Sequence, residues 1–187
     1  MNLPATVEGR ERIRLFCALR LPERTLEALV AWQRRAFAGT PDVRLLAREQ
    51  LHVTLAFLGH RPVEELEPIA RALREAVAGV EAPLLAIRRY RETRSVGMLA
   101  LDDESGRAGA LAVDLHRRLE ALGVYERERR AWLPHVTVIR FRKPPRLHPQ
   151  LPELEPFAPS DAAVYLSRLR PSGAEYDVLE SAALGGR

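Results

Sequence analysis

The chain has 187 residues, 47% of them apolar and 29% charged, with a formal net charge of +4. That size and balance fit one folded domain with a sizeable core and exclude a disordered chain. No run approaches the about 18 apolar residues of a membrane-spanning helix, and MNLPATVEGRERIR at the start lacks the apolar centre of a secretory signal, so a cytoplasmic location is expected.

In chain order, residues 13–19 (IRLFCAL) read as a buried strand. Pro22 then opens a helix over about 22–38 with Leu26, Leu29, Val30 and Phe37 on one stripe. Residues 43–47 and 51–58 are predicted strands, followed by a loop, GHRP, at 59–62. A second helix over about 63–78 aligns Leu66, Ile69, Ala70, Leu73 and Val77. Strands near 83–90 and 96–102, the turn DDESG, and a helix over about 107–122 with Leu111, Leu115, Leu119 and Leu122 come next. After a strand at 135–141, six prolines between 143 and 160 make an extended connection. Two last strands, at about 162–169 and 175–183, are joined by a turn at Pro171, Ser172 and Gly173. Irregular interleaving with strand pairs predicts an α+β fold. Residues 1–12 are expected to be a flexible extension of a single domain spanning 13–187, and a monomer is expected. Cys17, inside LFCAL, is expected to be a buried, inert thiol.

The tripeptide HVT occurs twice, in LHVTLAFL from Leu51 and PHVTVIRF from Pro134, although the chain holds only five His and six Thr. On a strand, side chains alternate faces, so His52 and Thr54 share one face, as do His135 and Thr137, while the intervening valines point to the other. Two such strands brought together surround one small group with two imidazoles and two hydroxyls. That set suits attack on a phosphodiester: one neutral imidazole takes a proton from the nucleophile, the other, protonated, gives one to the departing oxygen, and the hydroxyls hold the phosphate. The two motifs are chemically equivalent, so spacing alone does not say which histidine is acid and which is base. No HExxH or CxxC and no acidic or Cys partner at ligand spacing accompanies either His, so no metal and no cofactor are expected. His60, His116 and His148 are read as surface residues. The excess positive charge, carried by 28 Arg against the single Lys143, permits a nucleotide or RNA ligand.

At these residues the chain resembles the 2H phosphoesterase superfamily, and within it the RNA 2′,3′-cyclic phosphodiesterase (LigT-like, 2′-5′ RNA ligase) family. RLFCALRLP, LHVTLAFLG, PHVTVIR and VYLSRLRPSGAEYDVL carry the likeness over about residues 14–184. The resemblance implies two pseudo-symmetric lobes of antiparallel sheet, helices outside and a central cleft. It implies hydrolysis of an RNA terminal 2′,3′-cyclic phosphate to a 2′-phosphomonoester, with His52 as proton donor, His135 as proton acceptor, and Thr54 and Thr137 on the phosphate. Arg140 matches a family position and is a phosphate contact only if a bulge turns it to the histidine face. Phe16 and Tyr165 match family blocks and either flank a nucleobase or, as the better reading, pack the core. Arg94 stands where the family often has a basic residue, although RRYRETRSVGML lacks the usual Gly and Phe-Pro segment. Rival readings are reversible 2′-5′ joining of RNA by the same acid and base, and a noncatalytic RNA-binding module. The expected partners are RNA with cyclic phosphate ends or cyclic nucleotides, and no membrane.

Overall fold

Alternation along the first strand, β1 (Arg12–Arg20), sorts its side chains onto two faces. Ile13, Leu15, Cys17 and Leu19 enter the main core, while Phe16 and Ala18 belong to a separate small cluster on the opposite face. The structure, a computed structural model, describes residues 11–171 and 173–185. After β1 come α1 (Glu23–Ala36), β2 (Val43–Leu45), β3 (His52–Pro62), α2 (Leu66–Val77), β4 (Leu85–Glu92) and β5 (Val96–Asp103). The remaining elements are α3 (Arg107–Ala121), β6 (His135–Phe141), β7 (Asp161–Arg170) and β8 (Gly173–Ala183). All pairings are antiparallel, and the order β4-β5-β6-β3-β1-β7-β8, with β2 on β6, makes one eight-stranded sheet. The sheet curls into a half-barrel. Helices α2 and α3 pack on each other and cover β3, β5, β7 and β8 from one side. The α+β expectation holds, and the two halves are continuous: they join at a single register pair, Val53 with Val136, the central residues of the two HVT tripeptides. A pseudo-two-fold therefore passes between the motifs.

Both motif strands carry the same irregularity. Against β1, Cys17 pairs with Ala56 and Ala18 with Thr54, leaving Leu55 out of register; against β5, Gly97 pairs with Ile139 and Met98 with Thr137, leaving Val138 out. Each bulge buries two successive residues, Leu55–Ala56 and Val138–Ile139, and returns the next side chain, Phe57 or Arg140, to the histidine face. The carbonyls at the bulges are held by buried side chains from the helices. His116 on α3 donates from Nε2 to Leu55 O at 2.8 Å, and Gln33 on α1 donates from Nε2 to Val138 O at 2.5 Å.

His116 is thus not the surface residue expected: it is 5% exposed and stacks on Tyr125 at 4.7 Å. A buried polar ring persists there because its N–H answers a carbonyl that the bulge leaves irregular. Replacing it in a His116→Leu variant removes that donor and is expected to cost about 1–3 kcal/mol, read as a lower midpoint of urea unfolding; an unchanged midpoint would show that the bond contributes nothing.

Two further expectations change. Residues 59–62 continue β3 instead of forming a loop, because Gly59, at φ 69°, supplies a second irregularity that lets Gly59 through Pro62 pair with Leu15 through Arg12. That pairing brings Arg12 into the sheet; residues 1–10 of the expected extension lie outside the described residues, as does Ser172 of the last turn. The Pro-rich connection is extended as expected and is tied down at Phe157, which bridges to Leu85, and at Gln150, whose carbonyl accepts from Trp32 Nε1 at 2.8 Å. Among the described residues, no helix is long and apolar enough to cross a membrane.

Candidate active site

The open face of the sheet gathers the four motif residues. Counting outward from Val53 and Val136 along antiparallel strands, His52 lies across from Thr137, and Thr54 across from His135. His52 Nε2 is 3.1 Å from its own motif's Thr54 Oγ1. His135 donates from Nδ1 to the Leu133 carbonyl at 2.8 Å, which in the neutral ring leaves Nε2 as the nitrogen that can accept a proton. Trp132, which sequence reasoning missed, donates from Nε1 to Thr54 O at 3.0 Å and so fixes the first motif from the segment that leads into the second.

The surroundings of the two rings differ. Phe16 stacks on Tyr165 at 4.8 Å between centroids, and Phe16, Tyr165 and Tyr176 lie 4.9, 5.9 and 5.5 Å from the His52 ring. Phe16 and Tyr165 are buried, as the packing reading expected, yet they pack around the histidine and not in the main core. Tyr176 was not legible because its placement depends on the pairing of Ser167 with Tyr176 across β7 and β8. Beside this wall, Arg20 pairs with Asp161 at 3.0 Å.

Burial lowers the His52 pKa to about 4, and the nearby charges of His135 and Arg140 push the same way, against an opposing pull from the Gln50 carbonyl. Its Nδ1 is buried and makes no hydrogen bond of ordinary geometry. In the unfolded chain the ring takes its proton near pH 6.5, in the folded protein only near pH 4, so its contribution is complete above pH 6.5 and is lost as pH falls toward 4. The loss amounts to roughly 3 kcal/mol for a shift of this size. The stability of the parent protein relative to His52→Phe in urea unfolding should therefore fall with acidification across that window; parallel curves would contradict the burial account.

Arg140 reaches the histidine face through the β6 bulge: it pairs with Val96, which lies on the same side of β5 as Met98, the partner of Thr137. Its cross-strand neighbour on β2 is Arg44. The condition attached to Arg140 by the sequence is met. Arg94 lies in the exposed β4–β5 turn, and His60 and His148 are exposed. Cys17 faces the core, where burial pushes its thiol up to about 12. No group of three or more His, Cys, Asp or Glu side chains is arranged to hold a metal ion among the described residues.

A curled antiparallel sheet bearing duplicated His-x-Thr strands across a pseudo-two-fold is the 2H phosphoesterase arrangement. The chain belongs to the 2′-5′ RNA ligase superfamily, whose family model matches residues 22–170. It is 36% identical to the RNA 2′,3′-cyclic phosphodiesterase of Thermus thermophilus, covering 93% of this chain and 91% of that one. It is 22% identical to the enzyme of the same name from Methanocaldococcus jannaschii, over 90% and 99% of the two chains. Among solved structures it is similar to TT0787 of Thermus thermophilus, with a TM-score of 0.80 and 32% identity over 94% of this chain and all of that one. It shares its fold with Escherichia coli LigT solved with phosphate, at a TM-score of 0.75 and 22% identity over 94% and 99% of the two chains.

Proposed function

We propose that this protein hydrolyses the 2′,3′-cyclic phosphate at the end of an RNA chain to a 2′-phosphomonoester, using two histidines and no metal ion. The observation that carries the reading is the meeting of the two HVT strands at Val53 and Val136, with Arg140 turned to the same face by a bulge. The names of the two relatives support the substrate.

In this reading the cyclic phosphate sits between the imidazoles, its non-bridging oxygens accepting hydrogen bonds from Thr54 and Thr137 and facing the Arg140 guanidinium. His135 Nε2 takes a proton from water as the water oxygen bonds to phosphorus. The bond from phosphorus to O3′ breaks, and His52 gives its proton to O3′. Each proton transfer is worth about 10²- to 10⁴-fold. The Nδ1 bond of His135 to Leu133 O supports its role as acceptor. His52, neutral at pH 7 in the empty site, serves as donor once the phosphate's negative charge beside it raises its proton affinity.

The testing experiment is incubation with a 2′,3′-cyclic nucleotide in excess chelator, with product identified by its phosphate position. Turnover to the 2′-monophosphate is expected. No product, or turnover that stops with chelator, would defeat the reading, and 2′-5′ linked product would move it to the joining reaction. Thr54→Val and Thr137→Val should each lower kcat/KM by roughly 10- to 100-fold, the loss of one hydrogen bond to a charged group, as measured in the same assay; unchanged rates would remove the hydroxyls from phosphate binding.

A further inference from the structure

The two halves of the open face are built from equivalent strands but not from equivalent chemistry. On the His52 side the row runs through the aromatic wall of Phe16, Tyr165 and Tyr176, and the cations beside it are engaged: Arg20 is matched by Asp161, and Arg14 lies over the Phe57 ring and donates to Ser167 Oγ. On the His135 side the row continues from β6 to β5 to β4. His135 pairs with Ala100, which pairs with Arg89; Thr137 pairs with Met98, which pairs with Arg91. Tyr90 between them turns inward against Phe37, so Arg89 and Arg91 stand on the histidine face, both exposed. Among the described residues neither guanidinium pairs with a carboxylate, whereas Arg88, Arg168 and Arg170 on strands of the same sheet each have one. Arg44 and Arg140 extend the same face as direct cross-strand neighbours of like charge, an arrangement unfavourable for folding by itself.

We propose that Arg89 and Arg91 form a track for the backbone phosphates of the RNA chain next to its reacting end, so that the chain leaves the active site over β5 and β4. The proposal rests on the function given above and names its substrate as an RNA strand and not a free cyclic nucleotide. Only β5 lies between β4 and β6, so two inter-strand spacings set them about 10 Å apart, which puts the arginines beyond the reacting phosphate but within reach of the next ones along the chain. Contacts to phosphate position the strand without reading its bases. The small side chain of Ala100 and the flexible Met98, both on the histidine face of β5, leave the path between the histidine and the arginines low. Arg89 and Arg91 lie in RRYRETRSVGML, the segment that lacks the usual Gly and Phe-Pro pattern of the family.

The test compares a 2′,3′-cyclic mononucleotide with a five-nucleotide RNA ending in the same group, for the parent protein and Arg89→Ala/Arg91→Ala. The expected result is a rise in KM of about tenfold or more for the oligonucleotide, with the mononucleotide within about twofold. The slope of log kcat/KM against log salt for the oligonucleotide should flatten by about 1.4, about 0.7 for each phosphate that is no longer neutralised. Arg89→Lys/Arg91→Lys should restore most of that slope. An unchanged salt slope, or equal losses on both substrates, would overturn the track. Failure of the parent protein to turn over either substrate would instead overturn the reaction itself, and is visible before any variant is made.

Discussion

Removing either imidazole, in His52→Ala or His135→Ala, should lower kcat on a 2′,3′-cyclic nucleotide by about 10³-fold or more, since each proton transfer contributes about 10²- to 10⁴-fold. The two losses should be similar although the rings sit in different surroundings. His52 is packed among Phe16, Tyr165 and Tyr176, so its truncation also leaves a gap on the cleft wall; His135 is held chiefly through Leu133 O. His52→Gln, which fills more of the space, separates the effects: it should regain stability in urea unfolding without regaining turnover. Either alanine variant retaining a tenth of parental kcat would remove that histidine from the chemistry.

Replacing Gly97 should be the most damaging change outside the four motif residues. Gly97 on β5 sits across from the β6 bulge, paired with Ile139, and a Cβ built there would lie 2.6 Å from Ile139 Cγ1 and 2.9 Å from its Cδ1, and would also collide with the Tyr90 hydroxyl. Ile139 is fully buried and cannot retreat. A Gly97→Val variant is expected to lose about 2–3 kcal/mol by overpacking, read by urea unfolding. Because relief requires β5 and β6 to separate where Thr137 and Arg140 are aimed, kcat/KM should fall further than the folded fraction does. Parental stability would show that the strands accommodate the side chain without shifting, and would leave the bulge without the part assigned to it.

The strands, the helices and the shared face of His52 with Thr54 and His135 with Thr137 were legible in the sequence because they follow from local periodicity. The bulges were written there too, as the adjacent apolar pairs Leu55–Ala56 and Val138–Ile139 that break alternation, but two successive apolar residues also occur in strands buried on both faces. Gly59 and Pro62 suggested a loop, since those residues punctuate chains more often than they sit in a bulged strand, and only pairing with β1 decides the matter. His116 was misread because its helix carries an apolar stripe at Leu111, Leu115 and Leu119, beside which a histidine looks like the edge of the polar face; the carbonyl that holds it belongs to a strand 61 residues away. Tyr176, Trp132 and the alignment of Arg89 and Arg91 with His135 and Thr137 depend on register between distant strands, which no local pattern encodes.

The account depends on one phosphate group lying between two imidazoles from distant parts of the chain, and the direct measurement is a histidine-resolved NMR titration with the 2′-phosphorylated nucleoside product. Both rings should respond along a single binding isotherm, with the pKa of His52 rising from about 4 as the anion settles beside it. A response at only one ring, or two isotherms of different affinity, would mean that the histidines do not share a ligand.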